Sequence, residues 1–299
     1  MSLVCYFNFT HLINKLLIAS WNVNSIRSRA SQVVKFLSST NIDVLCLQET
    51  KVIDANFPSA LFEEIGYFVY KNGQKSYNGV AFISKADIEV EEIKYDFEGE
   101  LKNIVDPIIL KKFDIQKRII SGLFNGIRII NLYVPNGSSL DSDKFKYKIE
   151  WLKMLDSYLL EQERREEFTC LLGDFNIALQ NQDIYDPQKF VGNIMASYQE
   201  RESLSNILKG RFIDSFRVFE KLSGFWSWWD YRNNAFELNK GWRIDHIYIT
   251  NNLISNLKSS VIRKDQREND KPSDHAPVVI ELDFEESLVD DDDDDLLEL

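Results

Sequence analysis

The chain has 299 residues, 44% of them apolar, enough to bury a large core in one big α/β domain or two smaller ones. Of its 47 acids, eleven fall between residues 281 and 299, so the other 36 face 35 bases; the net charge of -12 describes a tail and does not exclude a polyanionic partner. Three cysteines give no disulfide framework, and the absence of an apolar run of eighteen residues excludes a conventional membrane span, so a reducing, cytoplasmic setting is expected.

Residues 1–14 lack a basic start and a small-residue cleavage site, and are read as an extension before the first strand. "KLLIASWN" (15–22) reads as a buried strand, after which Ala30, Val33, Val34 and Leu37 recur at helical spacing. "DVLCLQET" (43–50) is a second buried strand, with Cys46 as small core filler. "YFVYKN" and "NGVAFISK" are strands around the turn-forming "NGQKSYNG", and "RIISGLF" and "IRIINLYVP" form a hairpin about Asn125-Gly126. Tyr147, Trp151, Met154 and Tyr158 mark an amphipathic helix beginning near Asp141 or Ser142; the strand "TCLLGDFN" (169–176) follows, with Cys170 inside it. Residues 183–209 read as loop then helix, and "WRIDHIYIT" and "APVVIELDF" as late strands. "VDDDDDDLLEL" is a solvated charge run. With no repeat and no Pro/Gly linker, the expected architecture is α/β: two sheets packed face to face, helices outside, over residues 15–284, followed by an acidic tail over 285–299.

Four of these strands finish by releasing polar side chains. Asn22 and Asn24 follow "LLIASW", Glu49 follows "DVLCLQ", Asp174 and Asn176 end "LLGDFN", and Asp245 and His246 interrupt "WRIDHIYI"; Pro272-Ser273-Asp274-His275 precedes the last strand. Any one of these fits a cap or a loop closure, but five together point to a shared site. Carboxylates and amides without a Cys/His set suit a hard cation, Mg²⁺ or Mn²⁺, and argue against zinc. The chemistry implied is attack of water on a phosphodiester. His275 is the obvious polar partner, although a histidine among acids can be a plain hydrogen-bonder; Asp245 and Asp274 are candidates to orient it.

The segments "ASWNVNSIRSR", "DVLCLQETK", "GQKSYNGVAFISK", "INLYVPNG", "LLGDFNIA", "WWDYR", "GWRIDHIYIT" and "KPSDHAPV" together resemble the exodeoxyribonuclease III branch of the endonuclease/exonuclease/phosphatase superfamily, in order from about Lys15 to Leu282. The resemblance implies a two-sheet sandwich and a metal environment of Glu49, Asn22 and Asp274, with Asp174, Asn176 and His275 also facing the ion. Asp174, supported by Asn176, would orient or deprotonate the water; His275 paired with Asp245 would bind the scissile phosphate, with Tyr133 contacting it and Asn136 close by. The general base stays open among Asp174, His275 and Tyr133. Positions matching Trp228, Trp242 and Ile244 wall a pocket for a flipped baseless sugar in the family, whereas Trp226 and Trp229 read as core. Lys51, Lys75, Arg118, Arg232, Arg243 and Lys271 are candidate grips on the DNA backbone.

The implied activity is a monomeric, Mg²⁺-dependent hydrolase of double-stranded DNA that incises 5′ to abasic sites, removes 3′-blocking groups and acts as a 3′-to-5′ exonuclease. Three features depart from the pattern: the amino-terminal extension, Leu179 where relatives often carry proline, and the acidic tail, read first as an aid to solubility and second as a mimic of DNA phosphates. The nearest rival is a superfamily phosphatase or phosphodiesterase acting on a small-molecule or lipid phosphate. A non-catalytic DNA-binding protein is the rival from another class, and the presence of Glu49, Asp174, Asp245, Asp274 and His275 speaks against it.

Overall fold

The structure, a computed structural model, describes residues 15–165 and 167–284; the extension and the tail from residue 285 lie outside the described residues. Twelve strands are formed in chain order: β1 (Lys15–Asn22), β2 (Val44–Gln48), β3 (Tyr67–Asn72), β4 (Val80–Lys85), β5 (Val90–Lys94), β6 (Ile119–Phe124), β7 (Ile127–Tyr133), β8 (Phe168–Asp174), β9 (Phe212–Asp214), β10 (Asp245–Thr250), β11 (Leu257–Ile262) and β12 (Val278–Asp283). They make two six-stranded sheets, ordered β11-β12-β1-β2-β4-β3 and β5-β6-β7-β8-β10-β9. The expected two-sheet α/β sandwich is the fold observed.

Each sheet contains one parallel pair, β1–β2 and β7–β8. A parallel pair needs a crossover, and the two long helices Ile26–Thr40 and Asp143–Glu163 supply one each. The second helix starts where its sequence predicts: the Ser142 hydroxyl accepts from the Phe145 N–H at 3.1 Å. Asn125 and Gly126 both have positive φ, 45° and 77°, which makes the tight β6–β7 hairpin.

Strand alternation divides the core into three apolar layers. Leu17, Ala19, Trp21, Leu45 and Leu47 face the helix Ile26–Thr40, while Ile130, Leu132 and Leu171 face the helix Asp143–Glu163. The rows between the sheets start apolar, with Leu16 and Ile18, Val44 and Cys46, Ile127 and Ile129, Cys170 and Leu172. Further along the same rows they turn polar: Ser20 and Asn22, Gln48, Asn131 and Tyr133, Asp174. Cys46 and Cys170 are buried and free. Strands β5, β9 and β11 and the helix Pro107–Asp114 have no clear counterpart in the sequence pattern. The three strands are short, irregular or lie at sheet edges, where half-exposed residues blur the alternation. Among the described residues, no helix is long and apolar enough to cross a membrane.

Candidate active site

The polar ends converge because of strand direction. β10 is antiparallel to β8 and β12 to β1, so β10 and β12 begin at the edge where β1, β2, β7 and β8 end. Register brings Tyr133, Asp174 and Asp245 side by side across β7, β8 and β10. Gly173 permits that alignment: its φ is 139°, and a Cβ there would lie 2.0 Å from the Leu132 carbonyl oxygen. Beneath the cluster, the Gln48 amide donates to Ser20 Oγ at 3.1 Å and Asn131 Oδ1 at 2.8 Å, giving the site a hydrogen-bonded floor. Glu49, Lys51 and Asn176 all take left-handed backbone, with φ of 50°, 55° and 50°, and so hold local strain at the strand ends.

Glu49, Asp174 and His275 offer ligand atoms that all lie within 4.8 Å of one another. Asn22 joins two of them, since its Nδ2 donates to Glu49 Oε1 and to Asp174 Oδ2, both at 2.9 Å. His275 Nδ1 pairs with Asp245 Oδ2 at 2.9 Å, while Nε2 faces Asp174 Oδ2 at 3.9 Å. Asp274 lies beside this group and spends its oxygens on Asn24 Nδ2 and Trp228 Nε1, each at 3.0 Å. The Asn176 backbone N–H donates to Asp174 Oδ1 at 2.9 Å, and its side-chain oxygen accepts from Asn136 Nδ2 at 2.9 Å. Lys51 pairs with Glu49 at 2.7 Å, and the Arg118 guanidinium sits 4.7 Å from the Tyr133 ring centroid.

This crowding sets the protonation states. Burial pushes Asp174 up to about 7, with Asp245 and Glu49 adding to the rise and His275 opposing it. Burial alone would lower His275, but Asp245, Asp174 and Asp274 outweigh it and raise the imidazolium to about 10. Burial first, then Glu49 and Asp174, hold the Tyr133 phenol well above its usual value, so it remains a neutral donor. Burial works against Asp274 ionisation too, yet His275 and the hydrogen bonds from Trp228 and Asn24 keep that carboxylate below the usual range.

Next to the cluster lies an open cavity of about 830 Å³ lined by Trp228, Trp242, Tyr185, Phe190, Met195 and Arg232, among others. Trp228 and Trp242 meet edge to face at 6.5 Å. Ile244 does not line this cavity; it is buried behind Trp242 with Ala178 and Met195. Trp226 and Trp229 are core, as expected. Arg243 is a correction: at 1% side-chain exposure it is locked to Asp183 at 2.8 Å and Asp214 at 2.7 Å and cannot reach a DNA backbone. His246 is likewise structural, buried with Nε2 2.9 Å from the Ile177 carbonyl oxygen.

Sequence reasoning passes over several supports. Ser227 Oγ accepts from the N–H groups of Ile244 and Asp245, and Ser273 Oγ donates to the Asn22 carbonyl while accepting from the His275 N–H. Isolated serines carry no sequence signal for such roles. Ser197 and Glu200 do carry one, the S-x-x-E capping box, which forms at the start of the helix Tyr198–Leu208.

Known proteins share this architecture. The chain matches the endonuclease/exonuclease/phosphatase family over residues 19–275. It is 32% identical over 266 residues to an exodeoxyribonuclease of Bacillus subtilis, spanning 87% of this chain and 97% of that protein. It is 31% identical over 275 residues to exodeoxyribonuclease III of Haemophilus influenzae, spanning 88% and 98%. A 3′ phosphatase from Neisseria bound to a product DNA hairpin superposes with a TM-score of 0.82 at 36% identity, covering 90% of this chain and 100% of that one. An AP endonuclease from Archaeoglobus fulgidus gives a TM-score of 0.80 at 35% identity with the same coverage. The chain therefore belongs to the endonuclease/exonuclease/phosphatase family, as an enzyme of its exodeoxyribonuclease III and AP-endonuclease type.

Proposed function

We propose that this enzyme hydrolyses phosphodiesters of double-stranded DNA with a divalent cation, incising 5′ to abasic sites and clearing 3′ ends by phosphatase and 3′-to-5′ exonuclease action. The observation that carries the proposal is the Glu49–Asp174–His275 cluster opening beside a tryptophan-walled cavity. The donor set fits Mg²⁺: oxygen ligands predominate, no thiolate is present, and buried Asp174 and neighbouring Glu49 and Asp245 leave negative charge that a hard cation neutralises. Glu49 and Asp174 would hold the ion, with Asn22 orienting both carboxylates and Asp274 beside them. When bound, such an ion offsets negative charge developing on the phosphate.

The remaining roles follow from protonation and hydrogen bonding. Burial raises Asp174 above the ordinary carboxylate range, with Asp245 and Glu49 adding to the rise, which suits it to take a proton from water. Asn22 and the Asn176 N–H fix its two oxygens. His275 is charged and Tyr133 neutral, so both serve as donors to phosphate oxygens rather than as bases. Asp245 holds the His275 ring by Nδ1 and leaves Nε2 for the substrate side. Trp228 and Trp242 offer apolar edges to a sugar turned out of the duplex, a movement that costs least where the base is already missing.

The test is incision of a duplex bearing one abasic analogue, with and without EDTA, by the wild type and Glu49→Ala, alongside a 3′-phosphate duplex and a phosphoinositide. Metal-dependent cleavage of both DNAs and none of the lipid is expected. Turnover of the phosphoinositide alone would overturn the proposal in favour of the small-molecule phosphatase reading.

A further inference from the structure

Behind the amides Asn136 and Asn176 lies a buried ion pair that the proposed chemistry does not use. Lys148, on the helix Asp143–Glu163, and Glu200, on the helix Tyr198–Leu208, both have side chains at 0% exposure, with Nζ and Oε1 2.5 Å apart. The lysine has three donors and all are taken: the Asn176 carbonyl at 2.8 Å, the Asn136 carbonyl at 3.2 Å and Glu200. Glu200 Oε1 also accepts from the Met195 N–H at 3.0 Å, and Oε2 accepts from Ser197 N and Oγ at 3.1 and 2.6 Å.

One ion pair thus ties together three loops: that after β7, that after β8, and the segment preceding the helix Tyr198–Leu208. Two of the loops carry left-handed backbone in non-glycine residues where they are held, at Asn176 (φ 50°) and Met195 (φ 66°), conformations that persist only where the surroundings over-determine them, while Gly137 (φ 92°) takes its positive φ freely. Gly137 is also tight against the lysine stem, since a Cβ there would lie 3.2 Å from Lys148 Cδ. The three loops meet again on the substrate side: Asn136 Nδ2 donates to Asn176 Oδ1 at 2.9 Å and contacts Met195 Sδ at 3.5 Å, and Met195 lines the cavity beside Trp228 and Trp242. Through the Asn176 N–H the same unit reaches Asp174.

We propose that Lys148 and Glu200 are positioning residues that fix the Asn136–Asn176 amides, and through them Asp174, relative to the Met195 wall of the cavity. The inference rests on the function proposed above. A purely structural pair would lower stability when removed, since apolar replacements orphan the Asn136 and Asn176 carbonyls and the Met195 and Ser197 N–H groups, and would leave kcat of the folded protein unchanged. A positioning pair would lower kcat itself, because a displacement of about 1 Å at a catalytic group costs roughly a hundredfold in rate.

The test compares wild type, Glu200→Gln and the double variant Lys148→Met/Glu200→Leu on an abasic duplex, reading kcat and KM separately, with Asn136 and Asn176 side-chain amide signals followed by NMR in the metal-free protein. The expected result is a folded double variant with KM within about threefold of wild type, kcat lower by about a hundredfold and shifted or broadened amide signals. Glu200→Gln keeps an acceptor oxygen and loses the charge that holds Lys148, and about a tenfold loss in kcat is expected with KM held. If the double variant fails to fold, the single variant decides. A folded variant with wild-type kcat and unmoved amide signals overturns the inference. Wild-type enzyme that leaves the abasic duplex intact overturns instead the functional reading on which it rests.

Discussion

Replacing Asp245 by asparagine tests the electrostatic core of the site. In the wild type His275 is raised to about 10 although burial pulls the other way, and the nearest compensating charge is Asp245 at 2.9 Å. The asparagine side chain would retain a hydrogen-bond acceptor for Nδ1 and lose the charge. Removing an opposite charge this close lowers a pKa by about 1–3 units, which brings His275 to roughly 7–9. Because the folded-state pKa lies above the ordinary 6.5, the contribution to stability is fully present below about 6.5 and disappears as pH rises through about 10. Asp245→Asn should therefore cost about 1–4 kcal/mol at pH 6, with the difference from wild type shrinking by about pH 10–11. NMR titration of the His275 ring in metal-free protein, with urea unfolding at pH 6 and 10, measures both quantities. A wild-type midpoint between pH 6 and 7, or a stability loss that does not depend on pH, would refute the reasoning.

Asp174→Asn should lower kcat on an abasic duplex by about a thousandfold or more without lowering the urea midpoint at about pH 7, because it removes the group proposed to accept a proton and a carboxyl whose ionisation burial disfavours. Since burial raises Asp174 to about 7, Mg²⁺ should bind more tightly as pH climbs from 6 to 8 and release protons over that range; calorimetry in two buffers of different ionisation enthalpy would expose affinity that ignores pH. Arg243→Ala should destabilise the fold by about 3–5 kcal/mol by leaving buried Asp183 undercompensated, with no change in the salt dependence of DNA binding; a flattened salt slope in a still-stable variant would return Arg243 to the DNA interface.

The two-sheet sandwich and the polar ends of its strands are legible in the amino-acid sequence because both depend on local chemistry. Apolar runs such as 15–22, 43–50 and 169–176 leave a buried strand as the economical conformation, and Asn125-Gly126 dictates a tight hairpin. Glu49 and Asp174 stand out as acids at the ends of apolar runs and His275 as a histidine beside an acid just before the last strand; each alone fits a cap or a loop closure, and their recurrence marks the site. The same locality explains the misreading of Arg243, whose partners Asp183 and Asp214 are 60 and 29 positions away. It also explains why Lys148 is inconspicuous among the surface-type lysines of its helix.

The central strands, and the polar side chains they release, can be read from the order of amino acids without any knowledge of their neighbours in space; the edge strands β5, β9 and β11 cannot. Pairing decided the rest: β1, β2, β7 and β8 end at the edge where β10 and β12 begin, since strand direction and register are properties of two segments rather than one. The charge states belong to the folded chain as well. An imidazolium stable to about pH 10 requires several carboxylates from distant segments to face one ring, a field that no short stretch of chain can generate.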